Sequence, residues 1–220
     1  MKTVGLMGSM DYKITIKYLD ALNRQLETHM GPQYSFKSMV YNFDKSELSI
    51  RKNRAHYLKE VIYQADILRQ SGADLLVLCE EAMHEIVKDI RRNISIPVVH
   101  IGEVLGKEIV ASHIKKVLVI GSRDSMQSEV YIHALNRAGV QVAIPDIKLI
   151  NDIDDLLEDE DACKIRLISI IESFRMRGVS GVVFCHPRLN ELIDPSELSM
   201  TVFDSFEIHV KNIVKEIGIG

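Results

Sequence analysis

The sequence predicts an α/β fold made of two pseudo-symmetric parallel-sheet α/β halves with a cleft between them. Three observations predict it. Short apolar, β-branched runs alternate with longer segments of helical periodicity, the first half of the chain is echoed in the second, and the chemically versatile residues gather where apolar runs end.

Thr3-Val4-Gly5-Leu6-Met7, Leu75-Leu76-Val77-Leu78, Pro97-Val98-Val99-His100-Ile101, Val117-Leu118-Val119-Ile120 and Gly181-Val182-Val183-Phe184 read as buried strands, with Lys37 to Asn42 a weaker one. Between them, Tyr12 to Leu26, Ala55 to Ser71, Ser125 to Ala138 and Ala162 to Arg177 carry apolar residues near helical spacing. Continuous apolar strands alternating with helices indicate parallel sheets covered on both faces.

The echo has two parts. Gly8-Ser9 leads into a helix with Tyr18, Ala21, Leu22, Asn23 and Arg24; Gly121-Ser122 leads into one with Tyr131, Ala134, Leu135, Asn136 and Arg137. Later, Gly72 to Cys79 is matched by Gly178 to Cys185. Two matched pairs in the same order, at nearly equal offsets, favour duplication over chance. The halves are expected at 1–105 and 106–200, with 201–220 crossing back to complete the first.

Composition narrows the partners. The 220 residues are 46% apolar and 26% charged, as in a globular protein, and the formal charge is -4. No clustered basic charge calls for nucleic acid or an anionic membrane; Arg91-Arg92 and Lys115-Lys116 read as solvated edges, and the acidic run Asp152 to Asp161 as a solvated loop or helix start. Three cysteines make no disulfide framework. With no long apolar run and no signal pattern between Met1 and Tyr12, a cytoplasmic protein is expected.

In parallel sheets, ligands bind beyond the carboxyl ends of the strands. Here those ends carry Gly8-Ser9-Met10, Cys79-Glu80-Glu81, Gly121-Ser122 and Cys185-His186-Pro187. Ser9 and Ser122 stand where backbone N–H groups at a helix start can meet a carboxylate or phosphate, although neither turn is a dinucleotide fingerprint or a P-loop. Cys79 and Cys185 form one symmetric pair and Glu80 and His186 the next. A cysteine ending a buried strand is more often packing than a nucleophile. Two adjacent carboxylates at the mouth of a core need solvent, a cation or a chemical task. His84 would lie over Glu80 if a helix begins there, as catalytic partner or simple cap. Glu80, Glu81, His84 and His186 are residue types that bind divalent ions, but their spacing shows no convergence, and no metal is expected.

The chain resembles the aspartate/glutamate racemase superfamily, the cofactor-independent amino-acid racemases, over nearly its whole length. Gly5 to Met10 with Thr15 and Tyr18 resembles the family opening; Gly72 to His84 resembles its first catalytic segment, and Pro97 to Ile101 its Ile-Pro-x-x-His-Ile. Gly121-Ser122-Arg123 with Ser125, Met126 and Tyr131, then Phe203-Asp204-Ser205 with His209, resemble the later motifs.

The resemblance implies an isomerase without cofactor, acting on a small amino or carboxylic acid, with an acid and a base on opposite faces of the α-carbon. Homodimers are common in the family and among soluble proteins generally, so one is expected. Aligned without gaps, the usual catalytic cysteines fall on Glu80 and His186; a one-residue slip would restore Cys79 and Cys185. The substrate-holding positions fall on Ser9, Met10, Glu81, Ala82, Ser122, Ser125, Pro187 and Arg188. A carboxylate and an imidazole have reference pKa values of about 4.3 and 6.5, so the reverse proton transfer starts from a form disfavoured by roughly 3 kcal/mol. Such a pair suits directional chemistry better than a thiol pair does. A lyase, a decarboxylase and a ligand-binding pseudoenzyme are the alternatives.

Overall fold

The structure is a computed structural model and describes residues 1–44, 53–158 and 164–218. The chain divides into two units, Met1–His100 with His209–Gly220, and Ile101–Ile208.

The first unit contains β1 (Val4–Met7), α1 (Tyr12–Met30), β2 (Ser38–Tyr41), α2 (Arg54–Gln70), β3 (Leu75–Leu78), α3 (Glu81–His84), α4 (Val87–Asn93) and β4 (Val98–Val99). The strands are parallel, in the order β2-β1-β3-β4, with Met7 level with Tyr41 and Leu78. β1 and β3 are buried throughout, as their apolar runs require. Asp11 caps α1, accepting from the Lys13 N–H at 3.1 Å, and the helix buries Thr15, Tyr18, Leu22 and Leu26 along one face. It ends at Gly31, whose φ of 105° lies where glycine is favoured. α2 is capped by Asn53 and packs Tyr57, Val61, Ala65 and Leu68 with Met7, Leu76 and Leu78.

The second unit contains α5 (Ile101–Ala111), β5 (Lys116–Ile120), α6 (Arg123–Gln127), α7 (Glu129–Arg137), β6 (Gln141–Ala143), α8 (Ile147–Glu158), α9 (Lys164–Arg175), β7 (Gly181–Phe184), α10 (Pro187–Leu192) and β8 (Thr201–Asp204). α11 (Ser205–Ile217) begins here and ends in the first unit. The sheet order β6-β5-β7-β8 repeats that of the first unit, strand for strand. Alternation along the strands serves two cores. Leu118, Ile120, Val182 and Phe184 face one, against α8 and α9; Val117, Val119 and Val183 face the other, against α5 and α7.

Several elements differ from expectation. Thr201–Asp204, expected with the first half, pairs with β7 from Gly181↔Thr201 to Phe184↔Asp204, and Phe203 packs beside Val183. The crossings therefore fall after His100 and Ile208 rather than at 105 and 200. The single helix expected from Ser125 to Ala138 is broken at Ser128, whose extended backbone lets its hydroxyl cap α7 by accepting from Val130 N–H at 3.2 Å. The run Pro97 to Ile101 is strand only at Val98–Val99, and Ile101 already opens α5. Residues 159–161 of the acidic run, and 162–163 of the last expected helix, lie outside the described residues.

Candidate active site

Equivalent backbone bonds join the inner strand exits in the two units. Cys79 N–H donates to Met7 O, and Cys185 N–H to Ile120 O, both at 2.9 Å. Each unit also places a glycine where a larger residue would collide. A Cβ on Gly8 would stand 2.5 Å from Asn42 Oδ1 and 2.9 Å from Thr15 Oγ1; one on Gly121 would stand 3.0 Å from the Cys185 Cβ. Glycine lets two chain segments close up at the point where a site can form.

At the first exit, Ser9 is 2% exposed and Glu80 is partly exposed. The Ser9 hydroxyl donates to Glu80 Oε2, and the Met10 N–H donates to the same oxygen at 3.3 Å. Ser9 Oγ in turn accepts from Asp11 N–H at 3.1 Å, while Ser9 N–H donates to Thr15 Oγ1 at 2.9 Å. The Thr15 hydroxyl in turn donates to Asn42 Oδ1 at 2.8 Å. Glu80 precedes α3 in an extended conformation but makes no side-chain cap, because its carboxylate reaches across to the exit of β1. Hydrogen bonds to an ionised acceptor are the strong kind, and two on one oxygen hold its rotamer.

The other candidates of this exit divide. Met10 lends its backbone to Glu80 while its side chain packs on the core, as does Ala82. Glu81 is partly exposed at the first position of α3. Cys79 is 5% exposed, and burial, helped by the Glu80 charge, pushes its thiol far above the ordinary range. A thiolate is strongly disfavoured there.

His84 closes α3 and is buried. It is 2% exposed, and its Nε2–H donates to Leu78 O at 3.2 Å. Its ring meets those of His100 at 4.9 Å and His209 at 5.4 Å, both edge-on. His209 accepts from the Tyr18 hydroxyl at 2.8 Å and donates to Val99 O at 3.1 Å. Burial holds His84 well below its ordinary pKa, with His209 and His100 adding to the effect. Burial brings His209 down to about 4, partly offset by its bond to Val99 O. These are neutral packing histidines, and the fold uses α3 to turn His84 inward.

At the second exit, His186 is half-buried and caps α10, its Nδ1 accepting from the Arg188 N–H at 3.3 Å behind Pro187. Nε2 therefore carries the hydrogen in the neutral ring. Burial lowers the His186 pKa; Glu158 and Glu191 oppose this, Arg188 assists it and Asp154 opposes it. Arg188 and Pro187 are both partly exposed. Asp154 is itself engaged by Arg123, through the backbone N–H at 2.7 Å and the guanidinium at 3.5 Å. Ser122 caps α6 through Ser125 N–H at 3.3 Å, and the two hydroxyls lie 3.1 Å apart. Cys185 packs against the core that contains Val183 and Phe203.

The structure thus brings Ser9 and Met10 to Glu80, His186 to Pro187 and Arg188, and Ser122 to Ser125. Asn42 is the residue of this network that sequence reasoning missed; its signal is its place directly after the weaker β2 strand. Among the described residues, no three His, Cys, Asp or Glu side chains could hold a metal ion. No described helix is long and apolar enough to cross a membrane.

The family described as Asp/Glu/Hydantoin racemase matches residues 5–213. Among solved structures, an aspartate racemase homologue from Pyrococcus horikoshii OT3 is 24% identical, with a TM-score of 0.89 over 99% of this chain and 100% of that one. The aspartate racemase of Picrophilus torridus is 16% identical, with a TM-score of 0.71 over 99% and 95%. An arylmalonate decarboxylase is 13% identical, with a TM-score of 0.58 over 100% and 94%. At these identities the likeness to solved structures is one of fold.

Proposed function

Because the chain belongs to the Asp/Glu/Hydantoin racemase family, we propose that it is an amino-acid racemase- or epimerase-like isomerase. It moves a proton at the α-carbon of a small amino or carboxylic acid, with Glu80 and His186 as the proton-handling pair. The observation that carries this reading is the hold on Glu80. Both of its described hydrogen bonds fall on Oε2, so Oε1 is the oxygen left to accept a proton from substrate. The general base is thereby oriented before substrate arrives.

His186 follows the strand equivalent to the one that Glu80 follows, and its environment favours exchange in both directions. Burial lowers the imidazole toward the carboxylate range. The roughly 3 kcal/mol handicap expected of an ordinary Glu/His pair shrinks accordingly. The buried Cys79 thiol argues against the alternative cysteine pair. Carboxylate and imidazole suffice for a proton transfer, so the reaction proposed here calls on no cofactor. The proposal extends to a cytoplasmic homodimer that takes a small ligand and no nucleic acid.

A decarboxylase or other lyase is the second reading. It is favoured by the chemical inequality of Glu80 and His186, which equips one exit to take a proton and the other to give one. Deuterium incorporation at the α-carbon in heavy water, followed across a panel of amino and carboxylic acids, separates these readings. The isomerase exchanges the α-hydrogen and inverts the centre. Release of carbon dioxide or of a β-substituent, without inversion, establishes the lyase. Full activity in both Glu80→Gln and His186→Asn ends the assignment of this pair.

A further inference from the structure

Two threonines of α1 use their hydroxyls differently. Inside a helix a threonine hydroxyl commonly returns to a carbonyl of the preceding turn, and Thr28 does so, donating to Arg24 O at 2.8 Å. Thr15, 4% exposed, reaches out of the helix instead: it donates to Asn42 Oδ1 at 2.8 Å and accepts from Ser9 N–H at 2.9 Å. Asn42 is exposed as a residue, yet its Oδ1 and Thr15 Oγ1 close over Gly8, where a Cβ would stand 2.5 Å and 2.9 Å from them. Gly8 N–H is fixed to Tyr41 O at 2.7 Å. The chain leaving β1 is therefore clamped immediately before and at Ser9.

The polarity of these bonds is set throughout. Asn42 Nδ2 donates to Phe43 O at 3.3 Å, which turns the oxygen of the carboxamide toward Thr15. That oxygen only accepts, so the Thr15 proton points at it and a lone pair faces Ser9 N–H. Ser9 Oγ accepts from Asp11 N–H at 3.1 Å, which leaves its own proton for Glu80 Oε2. In the internal repeat, Ser9 corresponds to Ser122 and Thr15 to Ser128. Ser128 spends its oxygen on Val130 N–H at 3.2 Å, capping α7. The hydroxyl that holds a serine amide in one unit caps a helix in the other.

We propose that Thr15 is a positioning residue for the base: its hydroxyl, aimed by Asn42, holds the Ser9 amide so that the Ser9 hydroxyl keeps its bond to Glu80. A general base works only within hydrogen-bond reach of the proton it takes, and the bonds behind it keep it there. Without Thr15 the Ser9 peptide can swing, its hydroxyl leaves Oε2, and the carboxylate is free to rotate. This role deepens the reading of Glu80 as the general base and rests on it.

The test compares Thr15→Val, which keeps the shape and loses the hydroxyl, with Thr15→Ser, and adds Ser9→Ala with and without Thr15→Val. In Thr15→Val, kcat for α-hydrogen exchange per folded molecule should fall about 3–10-fold, the rate equivalent of one neutral hydrogen bond, with KM little changed. The acidic limb of the pH–rate profile should move to higher pH, because a carboxylate that loses a donor is more readily protonated. Thr15→Ser restores both. In the Ser9→Ala background Thr15→Val costs no further rate, since the bond it served is gone. Asn42→Ala, at an exposed position, should give the same changes at smaller size, and decides by the same criteria where Thr15→Val fails to fold. Ser128→Ala is the control that lowers stability and moves neither kcat nor the limb. Independently of turnover, the carbon-13 resonance of the Glu80 carboxyl, identified by its loss in Glu80→Gln, should move at neutral pH in Thr15→Val and stay in Thr15→Ser. Losses that add in the Ser9→Ala background, an unmoved acidic limb or an unmoved resonance overturn the proposal. A moved resonance with no α-hydrogen exchange by any form, the parent included, overturns the isomerase reading and leaves the tie from Thr15 to Glu80 standing.

Discussion

The two strand exits share a backbone and divide their side-chain bonds differently. After β1, Ser9 accepts locally from Asp11 N–H but gives its hydroxyl proton to Glu80, which follows the neighbouring strand 71 residues away. After β5, the equivalent Ser122 stays local, capping α6 and meeting Ser125. His186 likewise spends its Nδ1 on its own helix. One exit is tied across the sheet and the other along the chain. A duplicated scaffold therefore fixes where chemistry can stand, while the partner of each polar atom decides how firmly it is aimed.

The largest test of that contrast is replacement of the two end groups. Glu80→Gln and His186→Asn should each lower α-hydrogen exchange by about 10²–10⁴-fold, the usual span for a general acid or base. Cys79→Ser, by contrast, should leave exchange nearly intact in whatever fraction stays folded. Exchange rates in heavy water, normalised to folded protein, check all three. A collapse in Cys79→Ser with Glu80→Gln unaffected would reverse the assignment.

Next in size is the pH response of the first unit. His209 is held at about 4 when folded, against about 6.5 for an ordinary histidine. Its neutral form belongs to the folded state, so its contribution is complete above pH 6.5 and fades as pH falls toward 4. That is about 3 kcal/mol by linkage, and the lowered His84 adds in the same direction. Urea unfolding between pH 7 and 4 measures the loss, which should be smaller in a His209→Gln variant, the part due to His84 remaining.

The serines give the intermediate effect. Ser9→Ala removes a donor to an ionised carboxylate, a bond worth about 1.5–3 kcal/mol, and should slow exchange about 10–100-fold. Ser122→Ala loses a helix cap, so it should lower stability by about 1 kcal/mol with little change in exchange per folded molecule. Equal kinetic losses in the two variants would show that the exits are aimed alike after all. The smallest expected effect is in the pH profile. Because burial lowers His186, the alkaline limb for reaction with protonated His186 should have its midpoint below 6.5, and kcat/KM should fall as pH rises through it.

Much of the fold was legible because its signals are local. The runs ending at Met7, Leu78, Ile120 and Phe184 are apolar and β-branched, and all four are strands. β8 was less legible. Thr201–Asp204 lies at the sheet edge with Phe203 its one buried residue, so it lacks the continuous apolar signature of a central strand. The break at Ser128 also escaped, since a capping serine inside a helical period reads as one more polar position. In the site, Glu80 and His186 stood out as polar residues directly after buried strands. The tie from Ser9 to Glu80 and the inward turn of His84 could not be read, because both depend on strand pairing and on the rotation of α3.

By itself the sequence determined the element order, the repeat and the positions at which polar groups emerge, since hydrophobic periodicity is written residue by residue. Tertiary structure alone decided which polar atoms meet. Parallel pairing brings Met7 level with Leu78, setting a serine from one crossover beside a carboxylate from the next, and burial decides that the Cys79 thiol stays protonated.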